Sequence, residues 1–229
     1  MQIVHVTECL AGGVLTFLLN LTSALDKEEH IIIYSRRDNT PDDVESLFGG
    51  NVTLVPWKYA GREIRPAQDL KALLELMRLL RQYPHADVVQ LHSSKAGFLG
   101  RLACRLLGST KKVFYLPHGL SFAREDVSVR KKRFYTHLEK IGNAFCGDVI
   151  ACSQSEKEML VKNGITNVHV INNGIAVDPN PPVYRKFSYP LVVGTVGRLT
   201  QQKNPALFNQ IAKIFGGGQL LPLLVDWRR

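Results

Sequence analysis

The chain has 229 residues, of which 45% are hydrophobic and 21% charged, and its formal net charge is +9. These ordinary globular values exclude a disordered, collagenous or coiled-coil protein. The chain lacks a run of 18 apolar residues, and its first residues lack a basic start and an apolar stretch, so neither a membrane span nor a secretory signal is expected. Cys9, Cys104, Cys146 and Cys152 form no C-x-x-C pair, which indicates reduced thiols in a cytoplasmic protein.

The positive charge is concentrated in residues 93–140, where eleven basic side chains stand against three acidic ones and give a net charge of +8. Such a patch attracts nucleic acid, anionic lipid headgroups or a phosphorylated substrate. Within it, the basic run at 130–133 is followed at helical spacing by Phe134, Leu138, Ile141 and Phe145. This spacing predicts a helix with a basic start and an apolar stripe that either packs on its own domain or faces a membrane.

Short apolar runs alternate with helical patterns along the first three quarters of the chain. In chain order, the predicted elements are strand 2–7, helix 14–25, strand 30–35, strand 52–57, helix 66–83, strand 87–92, helix 95–107, strand 112–116, helix 127–145, strand 148–153, helix 156–163 and strand 168–172. Strands joined by helical crossovers predict an α/β fold, a Rossmann-like doubly wound parallel sheet spanning residues 1–175.

The sequence changes character after this region. Four prolines within residues 176–190 predict a linker, after which 191–196 is predicted to be a strand. Asn204 and Pro205 supply an N-cap and a first-turn proline for a helix to Phe215, so a second α/β lobe begins within residues 191–229. The tail 216–229 lacks this pattern, so we expect the chain to be a shortened form of a longer protein, altered after Phe215; the alternative is a short protein whose tail packs back on the first domain.

Candidate binding residues follow the predicted strands, because ligands of open α/β sheets bind beyond the carboxyl ends of the strands. Gly12 and Gly13 follow the first strand, where glycines allow close backbone approach and the next helix offers free N–H groups to an anion. Three further places are His92 with Ser93, then His118 between Pro117 and Gly119, and finally Asn173 with Gly174. A tight turn or a structural hydrogen bond is the alternative explanation for each.

A fifth place lies in the incomplete second lobe. Arg198 and Lys203 lie close to the start of the helix that begins at Pro205 and follow the predicted strand 191–196. Arginine binds phosphate oxygens in a bidentate manner, lysine adds a point charge and the helix amides add partial positive charge. These residues are therefore predicted to bind a diphosphate and to stabilise the charge of a diphosphate leaving group.

Several segments together resemble the bacterial glycosyltransferase family 4, also called group 1, of GT-B fold. They are the Gly12-Gly13 loop and the stretches 91–94, 117–119, 151–156, 170–175 and 196–205, which occur in the family's order. The resemblance implies a retaining, metal-independent transfer of a sugar from a nucleotide donor, in a cleft between two Rossmann-like lobes, with no cofactor. The absence of a D-x-D triplet from the sequence agrees with metal independence.

The resemblance also implies residue roles. His118 matches the histidine that contacts the transferred sugar, and is the predicted catalytic residue. Arg198 and Lys203 match the pair that binds the donor diphosphate, and Gly12 and Gly13 match the loop near that phosphate. His92, Ser93, Asn173 and Gly174 fall in segments that line the acceptor side of the cleft.

Two departures from the family pattern bear on activity. Ala176 occupies the position where the family has an aspartate, and the paired glutamates of the second lobe, E-x7-E, have no equivalent in this chain. We therefore expect the chain alone to transfer sugar poorly or not at all.

Three functions remain open at this point. The leading one is an enzyme of lipopolysaccharide, capsule or exopolysaccharide synthesis that acts on a lipid-linked or saccharide acceptor at the inner face of the cytoplasmic membrane. The expected partners are a nucleotide sugar, that acceptor and an anionic membrane surface, with no nucleic acid. The alternatives are a nucleotide-sugar epimerase of the same fold and a non-catalytic polyanion-binding domain.

Overall fold

The computed structural model describes residues 1–175, 194–195 and 203–215 of the chain. The chain divides into two compact units, Met1–Ala176 and Val177–Arg229. The predicted linker and the predicted strand at 191–196 lie outside the described residues, apart from Gly194 and Thr195. None of the helices in the described ranges is long and apolar enough to cross a bilayer.

The first unit alternates strands and helices as the sequence predicts. Its strands are β1 (Gln2–Thr7), β2 (Glu29–Tyr34), β3 (Val52–Pro56), β4 (Val88–His92), β5 (Lys112–Leu116), β6 (Asp148–Ala151) and β7 (Val168–Val170). Its helices are α1 (Gly12–Ala24), α2 (Pro66–Arg81), α3 (Ser94–Leu106), α4 (Val129–Asn143) and α5 (Gln154–Lys162), with short 3-10 helices at Val44–Leu47 and Ser121–Ala123.

All seven strands pair in parallel, in the order β3-β2-β1-β4-β5-β6-β7. This is the order of a Rossmann-like doubly wound sheet, so the predicted fold class is confirmed. Apolar side chains cover both faces, as expected for strands that are buried on two sides. The larger core cluster includes Trp57 and Tyr115, and the smaller one, on the α1 side, includes Leu18 and Ile32.

Helix boundaries follow recognisable local signals. Pro66 is the first residue of α2, where its missing N–H breaks no hydrogen bond. Ser153 begins α5 with a reciprocal cap: its Oγ accepts from the Glu156 N–H at 3.2 Å, and Glu156 Oε2 accepts from the Cys152 N–H at 2.7 Å. The predicted strand 148–153 therefore ends at Ala151 instead.

The second unit contains the predicted helix. It runs over Pro205–Phe215 (α6), and the Asn204 side chain accepts a hydrogen bond from the Leu207 N–H at 3.1 Å, as expected of an N-cap.

Part of the predicted basic patch is not a surface feature. Arg101 is only 1% exposed, and its guanidinium bonds Glu139 at 3.2 Å and stacks over the Tyr115 ring at 4.4 Å. Lys95 pairs with Asp69 at 2.7 Å. Arg101 and Lys95 therefore add no unpaired charge to the basic patch predicted over residues 93–140, because each is held against an acidic side chain. The basic run at 130–133 lies at the start of α4, with three of its four residues exposed.

Candidate functional site

The carboxyl ends of β1 and β4 lie side by side at the centre of the sheet, with Thr7 opposite His92. The strand order reverses at this pair, because β2 and β3 lie on one side and β5 to β7 on the other. Crossover helices leave in opposite directions there and open a crevice, which is where ligands of doubly wound folds bind. The loops after β1, β4 and β5 therefore form the candidate site.

The loop after β1 leads into the exposed start of α1. Gly12 has φ of +54°, a conformation that side chains rarely adopt, and no atom lies within 4 Å of where a Cβ would stand on Gly12 or Gly13. Close packing therefore does not explain why a glycine occupies either position. Ala11 at the N-cap supplies no side-chain hydrogen bond, so the first amides of α1 remain available to an anion.

Four histidine side chains form a row through the buried interior, and the row ends at the carboxyl ends of the central strands. His30 lies on β2, His5 on β1 and His92 on β4, and all three are fully buried, whereas His118 follows β5 and is half-buried. The ring nitrogens meet at 3.0 Å between His30 Nδ1 and His5 Nε2, at 3.2 Å between His5 Nδ1 and His92 Nε2, and at 2.9 Å between His92 Nδ1 and His118 Nε2. We call these residues the histidine row.

The environment of His5, His92 and His118 favours neutral rings. Burial, with the neighbouring His30, lowers the pKa of His5 to about 3. Burial also lowers the pKa of His118 to about 4, although the nearby Glu156 opposes this shift. The pKa of His92 lies well below its ordinary value because the ring is buried and because His5 and His118 adjoin it. These rings act as hydrogen-bonding groups near neutral pH.

Ser93 lies beside the partly buried carboxyl group of Glu8, which the sequence did not single out. The Ser93 hydroxyl donates a hydrogen bond to Glu8, and the Arg37 guanidinium lies 3.7 Å from the same carboxyl group. Burial raises the pKa of Glu8 against the opposing influence of Arg37. Ser93 has φ of +80° and His118 has φ of +52°, so two strained residues flank the site.

The other predicted site residues lie elsewhere. Asn173 and Gly174 are exposed and follow β7, the edge strand, two strands away from β5. The structure does not bring them to the histidine row. Lys203 is exposed just before α6 in the second unit, and Arg198 lies outside the described residues. Their assignment to a donor diphosphate stays a prediction.

Besides Glu8, sequence reasoning missed two site residues, His5 and His30. Both are polar residues inside apolar β runs, and that placement was the available signal. Elsewhere, Cys104, Cys146 and Cys152 carry free thiols, as the sequence predicted, and burial raises the pKa of Cys104 to about 12. Within residues 1–175, 194–195 and 203–215, no three His, Cys, Asp or Glu side chains are placed to hold a metal ion.

Comparison with known proteins identifies the family. Residues 11–179 match Glycosyltransferase Family 4. The chain is 34% identical over 177 residues to the UDP-Gal:alpha-D-GlcNAc-diphosphoundecaprenol alpha-1,3-galactosyltransferase of Escherichia coli, a match that covers 70% of this chain and 44% of that protein. It is 31% identical over 183 residues to an uncharacterized 41.2 kDa protein in the cps region of Klebsiella pneumoniae, covering 78% of this chain and 48% of the relative.

The chain spans about half the length of these curated relatives. Among solved structures, it resembles the lipopolysaccharide outer core galactosyltransferase WaaB in its apo form, with a TM-score of 0.60 and 18% identity over 93% of this chain and 58% of that chain. At this identity the likeness concerns the fold, and it agrees with the GT-B type of Rossmann-like sheet. Since the family match covers well over half of its length, the chain belongs to Glycosyltransferase Family 4.

Proposed function

We propose that this chain forms the acceptor-side lobe of a retaining glycosyltransferase. The enzyme transfers a sugar from a nucleotide-sugar donor to a lipid-linked or saccharide acceptor during synthesis of a cell-surface polysaccharide. The proposal extends to this chain the chemistry in the name of the Escherichia coli relative, whose donor is UDP-Gal and whose acceptor is a diphosphoundecaprenol-linked sugar. The polysaccharide context is that of capsule, lipopolysaccharide or exopolysaccharide.

One observation carries the proposal: in a member of this family, the histidine row ends at the crevice between β1 and β4, where His118 packs against Phe17 of α1, the helix that begins at Gly12. A neutral histidine recognises a sugar hydroxyl, and free helix amides recognise a phosphate. The two groups a nucleotide-sugar donor presents side by side thus each find a matching partner at this edge.

The roles proposed for single residues follow from this arrangement. His118 contacts the transferred sugar, and Gly12 and Gly13 lie against the donor phosphate. Arg198 and Lys203, supplied by the second lobe, bind the diphosphate and stabilise its charge as it leaves. Ser93, Asn173 and Gly174 belong to the acceptor side of the cleft. The predicted placing of His92 there is corrected by the structure, because its ring is fully buried and both of its nitrogens bond other histidines. Transfer proceeds with retention at the anomeric carbon and requires neither a metal ion nor a cofactor.

The experiment is a transfer assay with UDP-galactose and a soluble diphospholipid-linked N-acetylglucosamine analogue, analysed by mass spectrometry and NMR. We expect binding of the acceptor analogue, slow transfer by the chain alone, an α-linked product and no effect of EDTA. An inverted product would contradict the retaining mechanism, and loss of transfer in EDTA would contradict metal independence. Robust turnover by the 229-residue chain would contradict the expectation of weak activity.

The same assay separates the alternatives. Isomerised nucleotide sugar without any acceptor would identify an epimerase. Binding of polyanions such as nucleic acid in place of either substrate would identify a polyanion-binding domain.

We also propose that the chain works in the cytoplasm, attached peripherally to the inner face of the cytoplasmic membrane through α4. Arg130, Lys131 and Arg133 are exposed at the start of this helix, and Val129 and Phe134 expose 65% and 48% of their surface beside them. A groove of about 510 Å³ runs along α4 and α5, and its lining combines cations with apolar side chains: Phe122, Ala123, Val129, Lys132, Arg133, Thr136, His137, Lys140, Met159 and Asn163. Basic and apolar groups on one surface suit anionic headgroups above acyl chains.

Liposome co-sedimentation tests this attachment. The triple variant R130Q/K131Q/R133Q should lose binding to anionic vesicles, because each basic residue near the surface contributes about 1 kcal/mol. The matched control, K27Q/K58Q/K71Q, removes the same charge from exposed positions elsewhere and should retain binding. Equal loss in both variants would attribute binding to net charge, and binding without anionic lipid would contradict the proposal.

A further inference from the structure

The histidine row is a diagonal across one face of the sheet. His30 is opposite Ile3 on β1, and His5 stands two residues further along that strand. His92 is opposite Thr7, again two residues on, and His118 lies two residues beyond Leu116, the partner of His92 on β5. Each step therefore moves one strand sideways and two residues towards the carboxyl edge, which keeps His30, His5 and His92 on one face of the sheet. His118 lies beyond the end of β5 and continues the row through its hydrogen bond to His92.

The first ring of the row has a defined hydrogen-bond direction. His30 Nε2 lies 3.1 Å from the backbone carbonyl oxygen of Leu25. A carbonyl only accepts hydrogen bonds, so Nε2 of His30 carries the proton. A neutral imidazole has one N–H, which leaves His30 Nδ1 as an acceptor.

The direction passes from ring to ring. Because His30 Nδ1 accepts, His5 Nε2 must donate to it, and His5 Nδ1 then accepts from His92 Nε2. His92 Nδ1 in turn accepts from His118 Nε2. The Gln90 side chain adjoins His5, but its oxygen makes no hydrogen bond within the described residues, so the two neighbouring rings are the geometric partners of His5.

The row leaves one lone pair facing outward. His118 uses Nε2 towards His92, and the Phe17 ring packs edge-on against His118 with 4.8 Å between centroids. Its Nδ1 has no hydrogen-bond partner among residues 1–175, 194–195 and 203–215. At its inner end, the row stops at the backbone carbonyl of Leu25, which cannot pass a proton onward. The row therefore fixes the direction of its hydrogen bonds but does not conduct protons.

We propose that His30, His5 and His92 are positioning residues that hold His118 as the neutral Nε2–H tautomer, so that its Nδ1 accepts a hydrogen bond from a hydroxyl of the bound sugar. This inference rests on the proposed function, since it specifies how His118 meets the sugar. It also makes the contact selective, because a neutral acceptor favours a hydroxyl and disfavours a carboxylate, such as that of a uronic acid, at the same place.

The first test measures the tautomers directly. NMR of the chain labelled with 15N-histidine distinguishes protonated from unprotonated ring nitrogens without any substrate. We expect Nε2–H and unprotonated Nδ1 at all four positions near neutral pH. An Nδ1–H tautomer at any of the four, or a charged ring, overturns the proposal.

The second test removes the inner anchor. In His30→Phe, His5 Nε2 faces an apolar ring, so the row should reverse and His118 Nδ1 should become protonated, more than 80 residues away in sequence. In His30→Gln, the amide offers the same donor for Leu25 and the same acceptor for His5, so the direction should be kept. His85→Phe, at an exposed position, is the matched control and should change nothing.

Ligand addition completes the test. With UDP-galactose, the His118 Nδ1 resonance should shift in the unmodified chain and in His30→Gln, and affinity should fall about tenfold in His30→Phe, the cost of one hydrogen bond. If other resonances respond and His118 Nδ1 does not, the hydroxyl contact is refuted. If no resonance responds, the proposed donor is refuted instead. Should His30→Phe not fold, the unmodified chain and His30→Gln still decide the outcome.

Discussion

Replacing Glu139 by glutamine tests whether the buried ion pair between α3 and α4 holds the fold together. Arg101 and Glu139 expose 1% and 6% of their side chains, and they meet at 3.2 Å. Glu139 also accepts a hydrogen bond from the Tyr115 hydroxyl at 2.8 Å, and Arg101 donates from Nε to the Gly97 carbonyl at 2.9 Å. In Glu139→Gln the Arg101 guanidinium stays buried but no longer has a negatively charged partner.

The expected cost follows from this geometry. Removing one partner of a buried ion pair typically costs about 3–5 kcal/mol, since it leaves an uncompensated charge. Domains are stable by about 5–15 kcal/mol in total, so Glu139→Gln should remove at least about a fifth of the free energy of unfolding. Adding Arg101→Met should recover part of the loss, because the glutamine can still bond Tyr115 while no buried cation remains.

Urea unfolding at neutral pH measures these differences. The exposed Glu158→Gln on α5 is the matched control and should change the free energy of unfolding by less than about 0.5 kcal/mol. If Glu139→Gln costs less than about 1 kcal/mol, the pair contributes little and the guanidinium reaches water. If the double variant is less stable than Glu139→Gln alone, the reasoning about the unpaired cation is refuted.

Two further predictions concern the glycines and the histidine row. Gly97→Ala should destabilise the fold by about 1–3 kcal/mol, because the added Cβ meets the Tyr115 ring. Gly13→Ala adds a Cβ in open space and should keep the unfolding midpoint. It should nevertheless lower donor binding in a titration, because Gly13 is proposed to lie against the donor phosphate. The pKa values of His5 and His118 are lowered to about 3 and about 4, so the unfolded chain takes up protons first as pH falls below about 6.5. Stability should therefore drop by about 1.4 kcal/mol per pH unit per histidine between pH about 6.5 and 4, and a flat urea midpoint over that window would contradict buried neutral rings.

Much of the fold could be predicted from the sequence because short apolar runs indicate the strands and apolar residues at helical spacing indicate the helices. Predicted and observed boundaries differ mainly where a local polar contact decides the end, as at Ser153, whose side chain caps α5 and so ends the preceding strand at Ala151. The Ser-x-x-Glu pattern at 153–156 was the available signal. The 3-10 helices at Val44–Leu47 and Ser121–Ala123 were not predicted, since a single turn has no periodicity to detect.

Charge was harder to interpret from sequence than hydrophobicity. Arg101 counted towards a basic surface, although it lies on the buried side of α3 against Glu139, the one acidic residue within α4. Sequence shows how many charges a region holds. Which of them are paired inside depends on how two helices cross, and that is a property of packing.

The candidate site shows the same limit. His92 and His118 were found because they end or follow strands, where ligands bind. His5 and His30 were missed because only the strand order and register place them on the same diagonal. A polar residue within an apolar strand is a signal, but its partner on the neighbouring strand is visible only once the sheet is assembled.

The row also explains why polar groups are tolerated deep in this sheet. Each buried imidazole N–H or lone pair that lacked a partner would cost about 1–3 kcal/mol, yet the diagonal supplies a partner to every ring nitrogen of His30, His5 and His92. Only His118, at the crevice, is left with an unused acceptor. Packing alone does not require polar side chains at the three inner positions. On the proposal made above, their use lies at the outer end of the row, where the direction set at Leu25 reaches the candidate site.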